Sequence, residues 1–298
     1  MAVAAGAKVA GESAFADADT GGPTGSVRLR WLGTNAWEIT GGDATVLIDP
    51  WVTRFETGAT KGSDWNREAP LVIDEEAVDE HIGPADCILI THGHWDHIAD
   101  VPYVAARTGA TVLGTETHLN LLRALDTPEE QLSQVEGGER HSFDGFTVEV
   151  LKAHHNVSGR HKRLLFAGSR VGAVPERPRV VKDLVEGGSL AYLITFGKAR
   201  LLIGVTGVFQ ERELAGLEPT LLFMQAGVSD GDYEERLLDA TGRPRCIVPT
   251  HWDDYEEPLT DPAVDWLGAH ELGERVAEIS PDSEFVLLDH LESFDFEA

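Results

Sequence analysis

Thr91-His92-Gly93-His94-Trp95-Asp96-His97 places three imidazoles and one carboxylate within six residues, directly behind the apolar run Cys87-Ile88-Leu89-Ile90. On a loop leaving a sheet edge, side chains at i and i+2 can converge on one metal ion while the next pair turns toward a second. Imidazole and carboxylate donors suit zinc, iron or manganese, and the lack of a nearby thiolate argues against a soft-metal or cluster site. Beyond the loop, Ile98, Val101 and Ala105 keep helical spacing, which predicts a helix over 98–107 despite Pro102. The local order is strand, ligand-rich loop, helix.

Short β-rich runs alternate with polar turns on either side of this stretch. Residues 27–32, 36–40 and 45–48 are separated by Gly-Thr-Asn and Gly-Gly-Asp, turn chemistry that predicts an antiparallel meander. Further strands are expected at 86–91, 111–114, 146–151, 190–195, 200–204, 221–224, 246–249 and 285–288. Helices are expected around Leu121, Leu122 and Leu125, over 233–240 and over 262–277. Two strand-rich halves, each with its own helices, imply two sheets packed face to face with helices outside.

Composition narrows the functional classes. Hydrophobic residues make up 42% and charged residues 25% of the 298, which suits a packed core and excludes a disordered chain. With 24 Lys plus Arg against 51 Asp plus Glu, the net charge of −27 opposes a general phosphate-backbone footprint, so no nucleic-acid partner is expected. No apolar run reaches the length of a membrane span. Cys87 and Cys246 both sit in apolar runs and read as buried free thiols. Residues 1–26 read as a flexible leader ahead of one domain over 27–298. Within the leader, Ala14-Phe15-Ala16 matches the small-x-small pattern that precedes signal cleavage, so export stands beside a cytoplasmic default.

The His92-x-His94-x-Asp96-His97 motif after a strand resembles the hallmark of the metallo-β-lactamase superfamily, and the resemblance runs from about Val27 to the C-terminus. It is carried further by Lys152-Ala153-His154-His155 after the strand at 146–151, and by Thr250-His251-Trp252-Asp253 after the strand at 246–249. The family's fold is a four-layer αββα sandwich in one domain. The likeness implies one metal site of His92, His94 and a mid-chain histidine, with His155 preferred over His154 by the Ala-x-His pattern of the lactonase and N-acylphosphatidylethanolamine phospholipase D-like branch. A second site would use Asp96, His97 and His251. The run Leu47-Ile48-Asp49-Pro50-Trp51 is similar to that branch's Leu-Ile-Asp-Pro-Trp, which makes Asp49 a partner for the ligating imidazoles; capping of a strand end is the alternative.

One position departs from the family. Leu202-Ile203-Gly204-Val205-Thr206 carries Val205 where a bridging Asp is expected. Valine offers no lone pair, so one tight zinc site and a second weak or absent one are expected, with manganese or iron as alternative metals. A nearby carboxylate such as Glu211 is the candidate substitute.

The resemblance implies a metal-dependent hydrolase in which a metal-bound hydroxide, oriented by Asp96, attacks a small or lipid-like ester, lactone or phosphodiester. Asp96 or His161 would protonate the leaving group. A metal-binding redox or oxygen-using protein, or a non-catalytic relative of the same fold, is the alternative. Between Gly159 and Lys182 seven basic residues face a single acidic one, Glu176. Arg160 and Arg163 are therefore candidates to grip an anionic small-molecule substrate, against the alternative that this segment pairs with the acidic body. Trp95 and Trp252, beside the ligands, are candidate substrate contacts, with core packing as the competing role.

Overall fold

The computed structural model describes residues 25–61, 65–157, 163–228 and 231–298. The leader up to Thr24 lies outside these residues, as do Arg160 and His161. The chain opens as the expected meander: β1 (Ser26–Trp31), β2 (Trp37–Gly41) and β3 (Ala44–Ile48) pair antiparallel. It then changes to parallel units. Helix α1 (Glu75–His81) leads to β4 (Cys87–Leu89), α2 (Trp95–Ile98) and α3 (Val101–Thr108) lead to β5 (Thr111–Gly114), and α4 (Glu116–Ala124) leads to β6 (Leu132–Gln134).

The second half repeats that plan. Strands β7 (Arg140–Ser142), β8 (Thr147–Lys152), β9 (Leu190–Phe196) and β10 (Ala199–Ile203) pair antiparallel in sequence order. Helix α5 (Glu211–Leu214), β11 (Leu221–Gln225), α6 (Tyr233–Ala240), β12 (Cys246–Thr250), α7 (Ala269–Ile279) and β13 (Glu284–Phe285) add parallel strands. The last strand, β14 (Ser293–Glu297), crosses back to pair with β1. Two seven-stranded sheets result, ordered β14-β1-β2-β3-β4-β5-β6 and β13-β12-β11-β10-β9-β8-β7.

Burial follows from strand alternation. Inward side chains of both sheets, among them Trp31, Trp37, Phe146, Tyr192 and Phe223, form one apolar cluster between the sheets. A second cluster joins Leu47, Ile88 and Val112 on the other face of the first sheet to Ile98, Val104 and Leu122 of its helices. The αββα layering expected from the motif is thus present. Cys87 and Cys246 are buried free thiols, and burial pushes the Cys246 thiol up to about 12.

Some boundaries differ from the sequence reading, each for a local reason. The helix expected over 98–107 is two helices, because Pro102 is tolerated only in a first turn; α3 restarts there with Asp100 as its N-terminal flank. The Asp100 carboxylate is turned away to accept the N–H groups of Val52 and Thr53. The helix expected from 262 begins at Ala269. Residues before it are held by the Asp253–Asp265 bridge, and the Asp265 carboxylate accepts the N–H groups of Gly268, Ala269 and His270 at the start of α7. The strand expected over 285–288 shortens to Glu284–Phe285.

Candidate metal centre

The candidate ligands stand in segments that follow the C-terminal ends of strands from both sheets, His92, His94, His155 and His251 outside helices and Asp96 and His97 in the short α2. His92, His94, Asp96 and His97 follow β4, His155 follows β8 and His251 follows β12. The carboxyl ends of parallel strands are the usual ligand edge of an open α/β sheet. Gly93 lets the loop turn against the neighbouring segment, since a Cβ there would lie 2.4 Å from the Val185 carbonyl. Thr34, Asp49 and His251 all carry left-handed backbone angles, with φ of 51°, 40° and 55°. Such strain in non-glycine residues concentrates where a side chain must be aimed.

Two sets of three donors converge. Donor atoms of His92, His94 and His155 lie within 4.8 Å of one another, and so do those of Asp96, His97 and His251. Nε2 of His92 is 3.1 Å from Nδ1 of His94. The Asp96 carboxylate stands 3.3 Å from Nε2 of His251 and 3.5 Å from Nε2 of His97. The His92 and His97 rings, 3.8 Å apart between centroids, place the two sets side by side. The structure joins His155, and not the exposed His154, to the first set.

The opposite nitrogens are tied to the surrounding protein. His94 Nε2 donates to the Leu165 carbonyl at 3.0 Å, and His155 Nδ1 to the Asn156 carbonyl at 2.7 Å. His97 Nδ1 donates to Asp49 at 2.7 Å. For His94 and His155 the bond fixes a tautomer and leaves the inward nitrogen as a lone-pair donor. Burial, aided by the neighbouring imidazoles, pushes His92 well below the ordinary histidine range and His94 down to about 3; it also lowers His155. All three are therefore neutral, as metal ligands must be. Burial also opposes charge on His97, but the carboxylates of Asp96 and Asp49 outweigh it and hold its imidazolium up to about 10. The same carboxylates would favour a cation at its Nε2. That atom and His251 Nδ1 are buried without hydrogen-bond partners. The neutral imidazoles of the first set, with their inward lone pairs, and the buried Asp96 carboxylate beside the orphaned His97 Nε2 fit a divalent ion at each set, the second set holding the one anionic donor.

Asp49 occupies the place expected of it beneath the loop. Fully buried, it accepts from Thr91 N–H at 2.7 Å, from the Thr91 hydroxyl at 2.5 Å and from Asn35 at 2.7 Å as well as from His97. Val205 is buried and lines the site, contributing no donor. Glu211 does not replace the missing carboxylate: it is exposed on α5 and bonded to Arg236 at 2.7 Å.

Above the donors opens a cavity of about 300 Å³. Its walls include Trp95, Leu165, Leu190, Val205, Phe223, Tyr255 and Trp266, with Asn156 and Gln225 as polar members, and no described lining residue is Lys or Arg. Trp95 lines the cavity while 2% exposed and packed into the second apolar cluster. Trp252 does not line it: it stacks on Trp31 at 4.6 Å between centroids and belongs to the core. Arg163 is exposed and outside the lining. Of the described basic residues in this segment, Arg177 pairs with Asp126 and Lys182 with Glu68; Arg160 lies outside the described residues. Tyr255, Trp266, Gln225 and the Leu165 carbonyl were not singled out from sequence, and only the proximity of Tyr255 to His251 signalled any of them.

Comparison with known proteins agrees with this layout. The model of a family described as "Beta-lactamase superfamily domain" matches residues 28–202. The chain is 27% identical over 243 residues to a UPF0173 metal-dependent hydrolase of Thermoplasma volcanium, spanning 79% of this chain and 88% of that one. It is 26% identical over 246 residues to the Staphylococcus aureus protein of the same name, covering 79% and 90%. Among solved structures, the metallo hydrolase Igni18 of Ignicoccus hospitalis superposes with a TM-score of 0.60 at 20% identity, over 92% of this chain and 99% of that one. An isothiocyanate hydrolase from Delia radicum gut bacteria gives 0.59 at 17% identity over 91% and 100%. The diiron β-hydroxylase CmlA of Streptomyces venezuelae gives 0.57 at 15% identity over 93% and 55%. At these identities the structural likeness is one of fold.

Proposed function

Since this chain belongs to the metallo-β-lactamase superfamily, we propose that it is a metal-dependent hydrolase acting on a small, uncharged ester or lactone. The observation that carries the reading is the pair of converging donor sets on the floor of a mainly apolar cavity. His92, His94 and His155 would hold one divalent ion tightly. Asp96, His97 and His251 would hold a second more weakly, because Val205 supplies no bridge. Zinc suits three imidazoles with an open position best, with manganese or iron as alternatives. A bound ion supplies Lewis acidity toward the substrate oxygen and lowers the pKa of its water.

The chain's own residues do the rest. His97 and His251 hold the Asp96 carboxylate well below its ordinary range despite burial, so it stays ionised and can accept a hydrogen bond from the attacking water. Trp95, Tyr255 and Trp266 give the substrate's apolar part a surface and limit water access. Among the described residues the lining holds no Lys or Arg, which favours an uncharged substrate over the phosphodiester or anionic alternatives, since a buried anion needs compensating donors. Elemental analysis of the purified protein, followed by turnover assays on a panel of esters, lactones, thioesters and phosphodiesters, tests the reading. Ester or lactone hydrolysis that chelation removes and zinc restores is the expected result; metal bound without turnover of any panel member would overturn it.

A further inference from the structure

The cavity contains a hydrogen-bond donor whose direction is fixed by a relay of amides. β10 and β11 run parallel with Leu202 opposite Leu222, and three residues further along each chain Val205 and Gln225 both line the cavity. Val205, two residues past the end of β10, and the Gln225 carboxamide at the end of β11 thus share one cavity wall. An amide's oxygen and nitrogen are assigned from their partners, and here the partners decide. The Gly207 backbone can only donate, and its N–H meets Asn156 Oδ1 at 2.8 Å. Asn156 must then present Nδ2 to Gln225, and it donates to Gln225 Oε1 at 2.8 Å. Gln225 Nε2 is left with two protons and no acceptor among the described residues, and it is not among the polar atoms sealed from solvent. The anchor is tight: a Cβ on Gly207 would lie 2.5 Å from Val228 and 3.1 Å from Asn156 Oδ1.

We infer that the Gln225 carboxamide donates a hydrogen bond to the substrate oxygen that gains negative charge during hydrolysis, with Asn156 as the positioning residue that keeps the nitrogen facing the cavity. The inference rests on the hydrolase reading. A preoriented neutral donor stabilises developing charge without reorganising, and it does not attract an anionic ground state as a Lys or Arg would. Val205 belongs to the same arrangement, because a carboxylate there would compete for the Gln225 N–H.

The test uses the full chain loaded with zinc, 4-nitrophenyl acetate and γ-butyrolactone as substrates, and phenylboronic acid as a tetrahedral mimic. Gln225→Met keeps the side-chain volume and removes the donor. The expected result is a drop of about 100-fold in kcat with KM within about threefold, unchanged zinc content and unchanged melting temperature. Asn156→Asp keeps the acceptor for Gly207 but turns the Gln225 nitrogen toward residue 156 and its oxygen into the cavity, so a comparable loss is expected. The double variant should be no worse than Gln225→Met alone. Phenylboronic acid should bind Gln225→Met more weakly and should shift the Gln225 side-chain amide resonances of the wild type. Wild-type turnover with Gln225→Met within threefold of it overturns the donor role, as do losses that multiply in the double variant. If neither substrate is turned over by wild type, the hydrolase reading fails, and the boronic acid then judges the donor separately: equal binding to wild type and Gln225→Met, or no binding to either, overturns it.

Discussion

The Asp49 carboxylate and the His97 imidazole meet at 2.7 Å with both side chains almost wholly buried. Three further donors, from Asn35 and Thr91, complete the shell of Asp49. Asp49 thereby ties the end of β3 to the loop after β4 and selects the His97 tautomer whose Nε2 faces Asp96. Asp49→Asn keeps the shape but puts two N–H donors where four donors already point. Metal affinity should fall about 10- to 100-fold, read by competition with a chelator, and the melting temperature should fall with it. Unchanged affinity would show that His97 needs no orientation from below.

Replacing either member of the adjacent histidine pair separates the two candidates for the mid-chain ligand. His155 sits 4.5 Å from His92 and 4.7 Å from His94 between ring centroids, whereas His154 is exposed and its backbone carbonyl accepts from the Thr206 hydroxyl. His155→Ala should lose tight metal binding, as should His94→Ala, while His154→Ala should keep the wild-type metal content. Retention of metal by His155→Ala would refute the assigned set.

Calorimetric metal titration should resolve one tight site and one weak site in the wild type. Val205→Asp puts a carboxylate into the lining of the cavity, and it should raise the tight stoichiometry from one toward two. Two equally tight sites in the unmodified chain would mean that the bridge is dispensable here.

Glu256 offers a test by pH. Its carboxylate accepts from the N–H groups of Thr57 and Ala59 at 2.6 and 3.0 Å, from the Thr60 hydroxyl at 3.2 Å and from the Thr57 hydroxyl. Burial opposes the charge, yet these bonds outweigh it and hold the group below its ordinary value. A depressed native pKa means that the stabilisation is complete above the unfolded value of about 4.3 and is lost as pH falls through the native one. Glu256→Gln should cost roughly 1–3 kcal/mol at pH 7. Denaturant midpoints should also converge with wild type toward pH 3; a gap that is constant with pH would rule out the ionised role.

The motif around His92 was legible because metal coordination demands a dense local pattern, and the strands behind it because alternation and turn residues are local as well. Gln225 and the Leu165 carbonyl were invisible for the opposite reason: neither residue type announces chemistry, and each reaches the site only through sheet register or a returning loop. The basic run around Arg163 left its role open in the sequence because charge in a sequence has no direction. Arg177 and Lys182 find acidic partners across the surface, and their sign says nothing of the cavity. Strand β14 escaped notice because its pairing with β1 joins residues at opposite ends of the domain.

The tryptophans separate stability from substrate contact. Trp252 is 2% exposed and stacks on Trp31, which lies 4.8 Å from the His290 ring, so its removal empties part of the core. Trp252→Ala should cost about 3–5 kcal/mol of unfolding free energy, and any loss of activity should follow the loss of folded protein. Trp266 is 40% exposed, lines the cavity and meets Tyr255 edge to face at 5.5 Å between centroids. Trp266→Ala should leave the melting temperature nearly unchanged and raise KM for esters with bulky apolar groups more than for acetate esters. Steady-state kinetics across an acyl-length series, run beside thermal denaturation of both variants, reads the two roles apart. A KM for Trp266→Ala that is unaltered across the series would remove this residue from the substrate wall.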